Sequence, residues 1–192
     1  MKKLNLLQPV YLALLLTMFI LPYFSAPGYS IIKNTTSHLG AQATPNAWIM
    51  NLIFILLGLS TIIDGWRHLK EFWFQKIVLT VFGLALIGTA FFRHAPITTG
   101  IPFDRLADEW HSNLASLTGF SFTLLAISSA FIVKKPRQRI LALAVGIGAT
   151  ILSLLFFTLP AYAGLWQRLI FIFSFAWLIY FFNADYLLRR QI

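Results

Sequence analysis

Few residues in this chain can do chemistry, and they gather. There are four histidines and six carboxylates in 192 residues. The tightest group is Asp104, Asp108 and His111. On a helix opening at Asp104 these fall at i, i+4 and i+7, one face, which Ala115 and Gly119 continue as a close-packing stripe. An Asp three residues before a His can share a metal with it, orient its imidazole, or work with it as general acid and base. The competing account is a capped helix start whose acids sit at the positive end of the dipole, with Asp104 as N-cap. Glu109 points off this face, toward water.

A second group is Asn34-Thr35-Thr36-Ser37-His38-Leu39-Gly40. Ser37 can serve as nucleophile or oriented hydroxyl, and His38 as base or ligand. Alternatively the run is a turn in which Gly40 supplies an unusual backbone angle. His94, after Phe91-Phe92-Arg93, is either a third ligand or an interfacial anchor. The candidate catalytic set is therefore His111, Asp108 and Ser37. The candidate metal set is His38, His111 and Asp104, with zinc as the cofactor at roughly 2.0–2.1 Å from imidazole nitrogen. For a shared site, His38 must come within about 8 Å of His111.

The elements that position these residues are set by hydropathy. The chain is 58% hydrophobic and 11% charged, against roughly 45–50% and about 25% in soluble domains. That excludes a soluble enzyme and a disordered chain. Six apolar blocks, 6–24, 47–63, 77–92, 112–133, 140–159 and 169–182, predict one all-α domain of six membrane spans over residues 1–192. Lys2 and Lys3 precede the first block, but no small-x-small cleavage site follows it, so it reads as an uncleaved first helix. Cysteine is absent, which removes disulfides, thiolate metal sites and Cys nucleophiles. The formal charge of +9 needs no nucleic acid, because Lys and Arg collect on the cytoplasmic side of membrane proteins. Lys2, Lys3, Arg67, Lys70, Lys76, Lys134, Lys135, Arg137, Arg139, Arg189 and Arg190 fall on one side. Lys33, Arg93, Arg105 and Arg168 fall on the other. Both termini are thus predicted to be cytoplasmic, with the histidine segments outside.

Smaller signals fit this frame. Thr44-Pro45 reads as an N-cap and N1 proline for the second span, and Pro160 as the end of the fifth. Asn51 within a span should bond another element. Asp64 with His68, and Asp185 with Arg189, read as solvated i, i+4 pairs. Small residues at Ala115/Gly119/Thr123 and Ala142/Gly146/Thr150 should let helices approach closely. Trp48, Trp110 and Trp166 fit an outer aromatic belt, and Trp66 and Trp73 an inner one, which Tyr186 would join at the last span. The run 134–139 marks topology and can contact anionic lipid.

Two stretches carry a family resemblance. Ser37-His38-Leu39-Gly40-Ala41 leads into Trp48-Ile49-Met50-Asn51 and Leu56-Leu57-Gly58. Ile87-Gly88-Thr89-Ala90-Phe91-Phe92 is followed by Asp104 and His111 at the next span. Together they resemble the six-span bacterial and archaeal membrane proteins of domain of unknown function 998. The resemblance implies a multi-pass protein of the cytoplasmic membrane and singles out Ser37, Leu39, Gly40, Asn51 and His111; it implies no activity. Arg93 stands where that family often has Pro. A weaker similarity is to alkaline-ceramidase-type hydrolases, which use Ser, Asp and His around zinc; this chain lacks their seventh span and late His-x-x-x-His pair. The expectation is a non-catalytic lipid-binding or accessory subunit, with membrane lipids, partner subunits or a second copy as partners and no nucleic acid. The alternative is a metal-dependent hydrolase acting on a lipid-like substrate at the outer leaflet. A two-histidine haem site ranks last, and transport lacks a charge midway along any span.

Overall fold

The computed structural model describes residues 5–183, and every regular element among them is helical. The α-helices are α1 (Leu7–Ile20), α2 (Thr36–Leu39), α3 (Ala47–His68), α4 (Trp73–Phe91), α5 (Arg105–Ser129), α6 (Pro136–Thr158) and α7 (Ala163–Asn183). Short 3₁₀ turns extend α1 through Leu21–Phe24 and precede α7 at Pro160–Tyr162. Five segments are long and apolar enough to cross a membrane: Leu7–Phe24, Ala47–His68, Trp73–Phe91, Pro136–Thr158 and Pro160–Asn183. α5 has 25 residues but is more polar, with Arg105, Asp108, Glu109 and His111 in its first two turns and serines and threonines below. Lys2, Lys3, Asp185, Tyr186, Arg189 and Arg190, used above for orientation, pairing and the aromatic belt, lie outside the described residues.

Consecutive helices from α3 to α7 pack side by side, and α1 lies on α3 and α7. The core is aromatic, built on Phe54, Phe82, Phe122, Phe175, Trp177 and Phe181. α3 and α4 meet at Gly58 and Gly83, where any Cβ would strike the facing helix. On α6, Ala142 and Gly146 face α5, with Gly146 against Ile127, as small residues at a membrane helix contact should. The matching stripe on α5 does not pack: Gly119 faces open space. The buried face of α5 runs instead through His111, Thr118, Phe122, Leu125 and Ser129.

α1 is apolar on all sides, so no amphipathic face fixes its place. It is gripped at its ends by opposite charges. Asp64 of α3, 5% exposed, accepts the Leu7 N–H at 2.8 Å. Arg168 of α7, 1% exposed, donates through Nε to the Met18 carbonyl at 3.3 Å. Each charge has the sign the adjacent helix terminus favours. Asp64 is therefore not a solvated partner of His68; it caps α1 and sits 3.5 Å from Arg67. The start of α3 also differs from expectation. Asn46, at φ +59°, is the N-cap, and no side chain caps the helix. Thr44 lies upstream with its hydroxyl buried and unpartnered.

Candidate functional site

Residues 25–46 cross the end of the bundle as a strap, and α2 lies in it. Two anchors hold it. On one side, Arg168 Nη1 donates to the carbonyls of Ile31 (2.8 Å) and Asn34 (3.0 Å). Its Nη2 donates to the Tyr29 hydroxyl at 2.8 Å, which reaches the Thr35 carbonyl at 2.7 Å. Gly164 admits this approach, since a Cβ there would collide with the Ile31 and Asn34 carbonyls. On the other side, the Gln42 N–H donates to the His94 carbonyl at 2.9 Å. The Gln42 side chain donates to the carbonyls of Arg93 and Asp104, both at 2.9 Å. Asn51 donates to the Gly40 carbonyl at 3.0 Å. Gly40 has no room for a Cβ against that amide, so the pairing of Gly40 with Asn51 is steric as well as polar.

The strap carries His38 onto His94, which stands between His38 and His111. The His38 and His94 rings stack at 4.6 Å between centroids, and His94 and His111 lie 5.1 Å apart. Three elements, α2, the α4–α5 loop and α5, thus each supply one imidazole. Asp108 belongs to the same cluster, but its partner is His94 rather than His111. Asp108 Oδ1 lies 2.6 Å from His94 Nδ1 and accepts the Ala95 N–H at 2.7 Å. The two groups touch without an aligned hydrogen bond.

The Nδ1 atoms of His38 and His111 are tethered, and the tethers fix their tautomers. His38 Nδ1 accepts the Thr35 N–H at 3.0 Å, so a neutral His38 carries its proton on Nε2. Burial, with the neighbouring His94 and His111, pushes the His38 pKa down to about 4, and His38 is neutral at pH 7. His111 Nδ1 lies 3.0 Å from the Thr89 carbonyl and 2.8 Å from the Phe92 carbonyl. Carbonyl oxygens only accept, so Nδ1 carries the proton and Nε2 of the neutral ring is a bare lone pair. His111 is 3% exposed, and its Nε2 is buried without a partner. A buried acceptor of this kind is uncommon enough in a folded protein to suggest a function.

The other expected site residues lie outside this cluster. Asp104 uses its carboxylate to cap α5, accepting the Ala107 N–H at 3.1 Å. Ser37 is buried, and its hydroxyl faces Gln167 of α7 at 3.5 Å. No group of three or more His, Cys, Asp or Glu is arranged to hold a metal among the described residues; His38 stacks on His94, and His94 is tilted against His111. Sequence reasoning gave His94 too little weight and counted Arg168 only as a topology charge. The clue for His94 was that three of four histidines fall on one side of the predicted membrane. For Arg168 there was no local clue, because four of its five acceptors come from distant segments.

The rim of the cluster is apolar. Phe91, Phe92, Phe103, Leu106 and Trp110 are exposed beside it, and the Phe92 and Trp110 rings meet at 5.9 Å. The arrangement is a polar floor under an apolar edge, at one end of helices able to cross a membrane. A protein-family model described as "Protein of unknown function (DUF998)" matches residues 10–182. No curated protein and no solved structure matches the chain.

Proposed function

The chain belongs to the DUF998 family, and from that premise we propose a six-span membrane protein whose histidine end faces outward and binds a lipid-like amphiphile without turning it over, alone or as an accessory subunit. The observation that carries this is the bare, buried Nε2 of His111 below an apolar rim. A ligand hydroxyl or amide can donate to Nε2, while Phe92, Phe103 and Trp110 cover its hydrocarbon. α5 completes the six spans because it packs between α4 and α6 and has to return the chain across the bundle. The exposed Lys134, Lys135, Arg137 and Arg139 flank the start of α6, at the end away from the cluster, which supports cytoplasmic termini.

Single cysteines introduced at Gly100 and Gln138 test the orientation by labelling intact cells with an impermeant maleimide. Labelling at 100 and not at 138 is expected; the reverse overturns it. Binding is tested by native mass spectrometry of the purified protein. A retained amphiphile, lost in His111→Phe, is expected.

The contact between Asp108 and His94 favours a second reading, a hydrolase in which His94 acts as general base with Asp108 charge-balancing it. A lipid-turnover assay separates the two readings. Turnover abolished in Asp108→Asn supports the hydrolase, and no turnover by the wild type leaves the binding protein.

A further inference from the structure

Two acceptors in the histidine cluster have nothing to accept. One is Nε2 of His111, buried and without a partner. As the bare nitrogen of a ring protonated at Nδ1, it takes a hydrogen bond and has none to give. The other is the second carboxylate oxygen of Asp108. Oδ1 lies against His94 and accepts the Ala95 N–H, whereas Oδ2 accepts no hydrogen bond among the described residues. Both residues are neighbours of His94: the carboxylate comes within 2.6 Å of its Nδ1, and the His111 ring lies 5.1 Å from its ring. The His94 side chain is 28% exposed and sits on the connection between α4 and α5.

Charge narrows what these acceptors can take. Among the described residues no Lys or Arg pairs with Asp108; Arg67 pairs with Asp64, at the other end. The neutral His38 adds no cation. A phosphate, sulfate or carboxylate group would set further acceptors and negative charge against a lone pair and a carboxylate. A quaternary ammonium has the right charge but no N–H. A hydroxyl satisfies the imidazole and gains nothing from the Asp108 charge. A primary ammonium brings three N–H donors and a positive charge. Its hydrogen bond to a carboxylate is roughly twice as strong as one between neutral groups.

We propose that the cluster selects its amphiphile by a primary ammonium headgroup, of the kind an ethanolamine phospholipid carries, which turns His94 aside and donates to His111 Nε2 and Asp108 Oδ2. The apolar rim of Phe92, Phe103 and Trp110 commits the amine to a lipid rather than a free solute. This selectivity rests on the reading of the cluster as a binding site, and the two fail separately. A site that holds every headgroup alike is still a site.

The test is a competition. Purified full-length protein, stripped of lipid in detergent, is offered equal amounts of dioleoyl phosphatidylethanolamine, phosphatidylcholine and phosphatidylglycerol, and the bound species are read by native mass spectrometry. The wild type should retain the ethanolamine lipid about tenfold over either competitor, the effect of one charge-assisted hydrogen bond. Asp108→Asn keeps an oxygen for the Ala95 N–H but removes the charge, and should cut that preference to about twofold; thermal unfolding in the same detergent checks that the variant is folded. Soluble phosphoethanolamine should leave the bound lipid in place, and displacement by it would overturn the lipid as the source of the amine. Equal retention of the three lipids by the wild type overturns the ammonium, as does a preference unchanged in folded Asp108→Asn. If all three are then lost in His111→Phe, the site stands and only its selectivity falls; if all three stay, the binding reading falls with it.

Discussion

The two ends of the bundle use polar residues in opposite ways. At the end where α3 meets α4, Lys76 is buried, donates to the Lys70 carbonyl at 2.7 Å and lies 5.0 Å and 4.5 Å from the Trp66 and Trp73 ring centroids. Trp66 Nε1 donates to Thr80 Oγ1 at 2.9 Å, and Asp64 caps α1. Each of these groups has a partner within the fold. At the histidine end, His38 and His111 are tethered by Nδ1 while the Nε2 of His111 has no partner. Lys76 and Asp64 hold helices together at one end, whereas at the other the bare His111 Nε2 lies beside two further imidazoles under an apolar rim.

Arg168 tests the comparison most severely, because it is a structural charge placed at the histidine end. Arg168→Leu leaves four carbonyls facing an apolar side chain and frees both α1 and the strap. A loss of at least about 3 kcal/mol is expected, read as a large drop in thermal stability in detergent.

Acid should act on the histidine end through His38. The His38 pKa is lowered in the folded protein to about 4, below the ordinary value of about 6.5. The unfolded chain therefore binds the extra proton between these values. Stability from His38 is fully present above about pH 6.5 and is lost as pH falls toward 4, by roughly 2–3 kcal/mol. His38→Gln should flatten that part of a stability–pH curve; an unchanged curve would remove His38 as its cause.

Gly40→Ala drives a Cβ into the Asn51 amide. It should cost about 2 kcal/mol and speed labelling of His38, while leaving the Lys76 end unaltered. The smallest effect is expected at that far end. Asp64→Ala removes the cap of α1 and should cost about 1 kcal/mol, without altering histidine access.

What the sequence makes legible follows from range. Long apolar blocks mark five of the segments able to span, and Asp104 is recognisable as a cap because its partner is three residues away. Gly40, Asn51 and His111 belong to short motifs, but why they matter emerges only when the strap closes: Asn51 reads Gly40, and His111 reads Thr89 and Phe92. The role of His94 depends on Asp108, across a loop whose path no local pattern sets. Arg168 is the extreme case, since its acceptors span residues 18 to 164. The α3 start was misplaced because Thr44-Pro45 fits a cap rule, whereas the strap bends left-handed through Ala43 and Asn46 before the helix can begin.

The most direct measurement is native mass spectrometry of the membrane-extracted protein beside His111→Phe and, as a control at the other end, Lys76→Met. The account predicts a co-purifying amphiphile on the wild type and on Lys76→Met, absent from a folded His111→Phe. The same bound species on all three proteins, or none on the wild type when native lipids are supplied in excess, would contradict it.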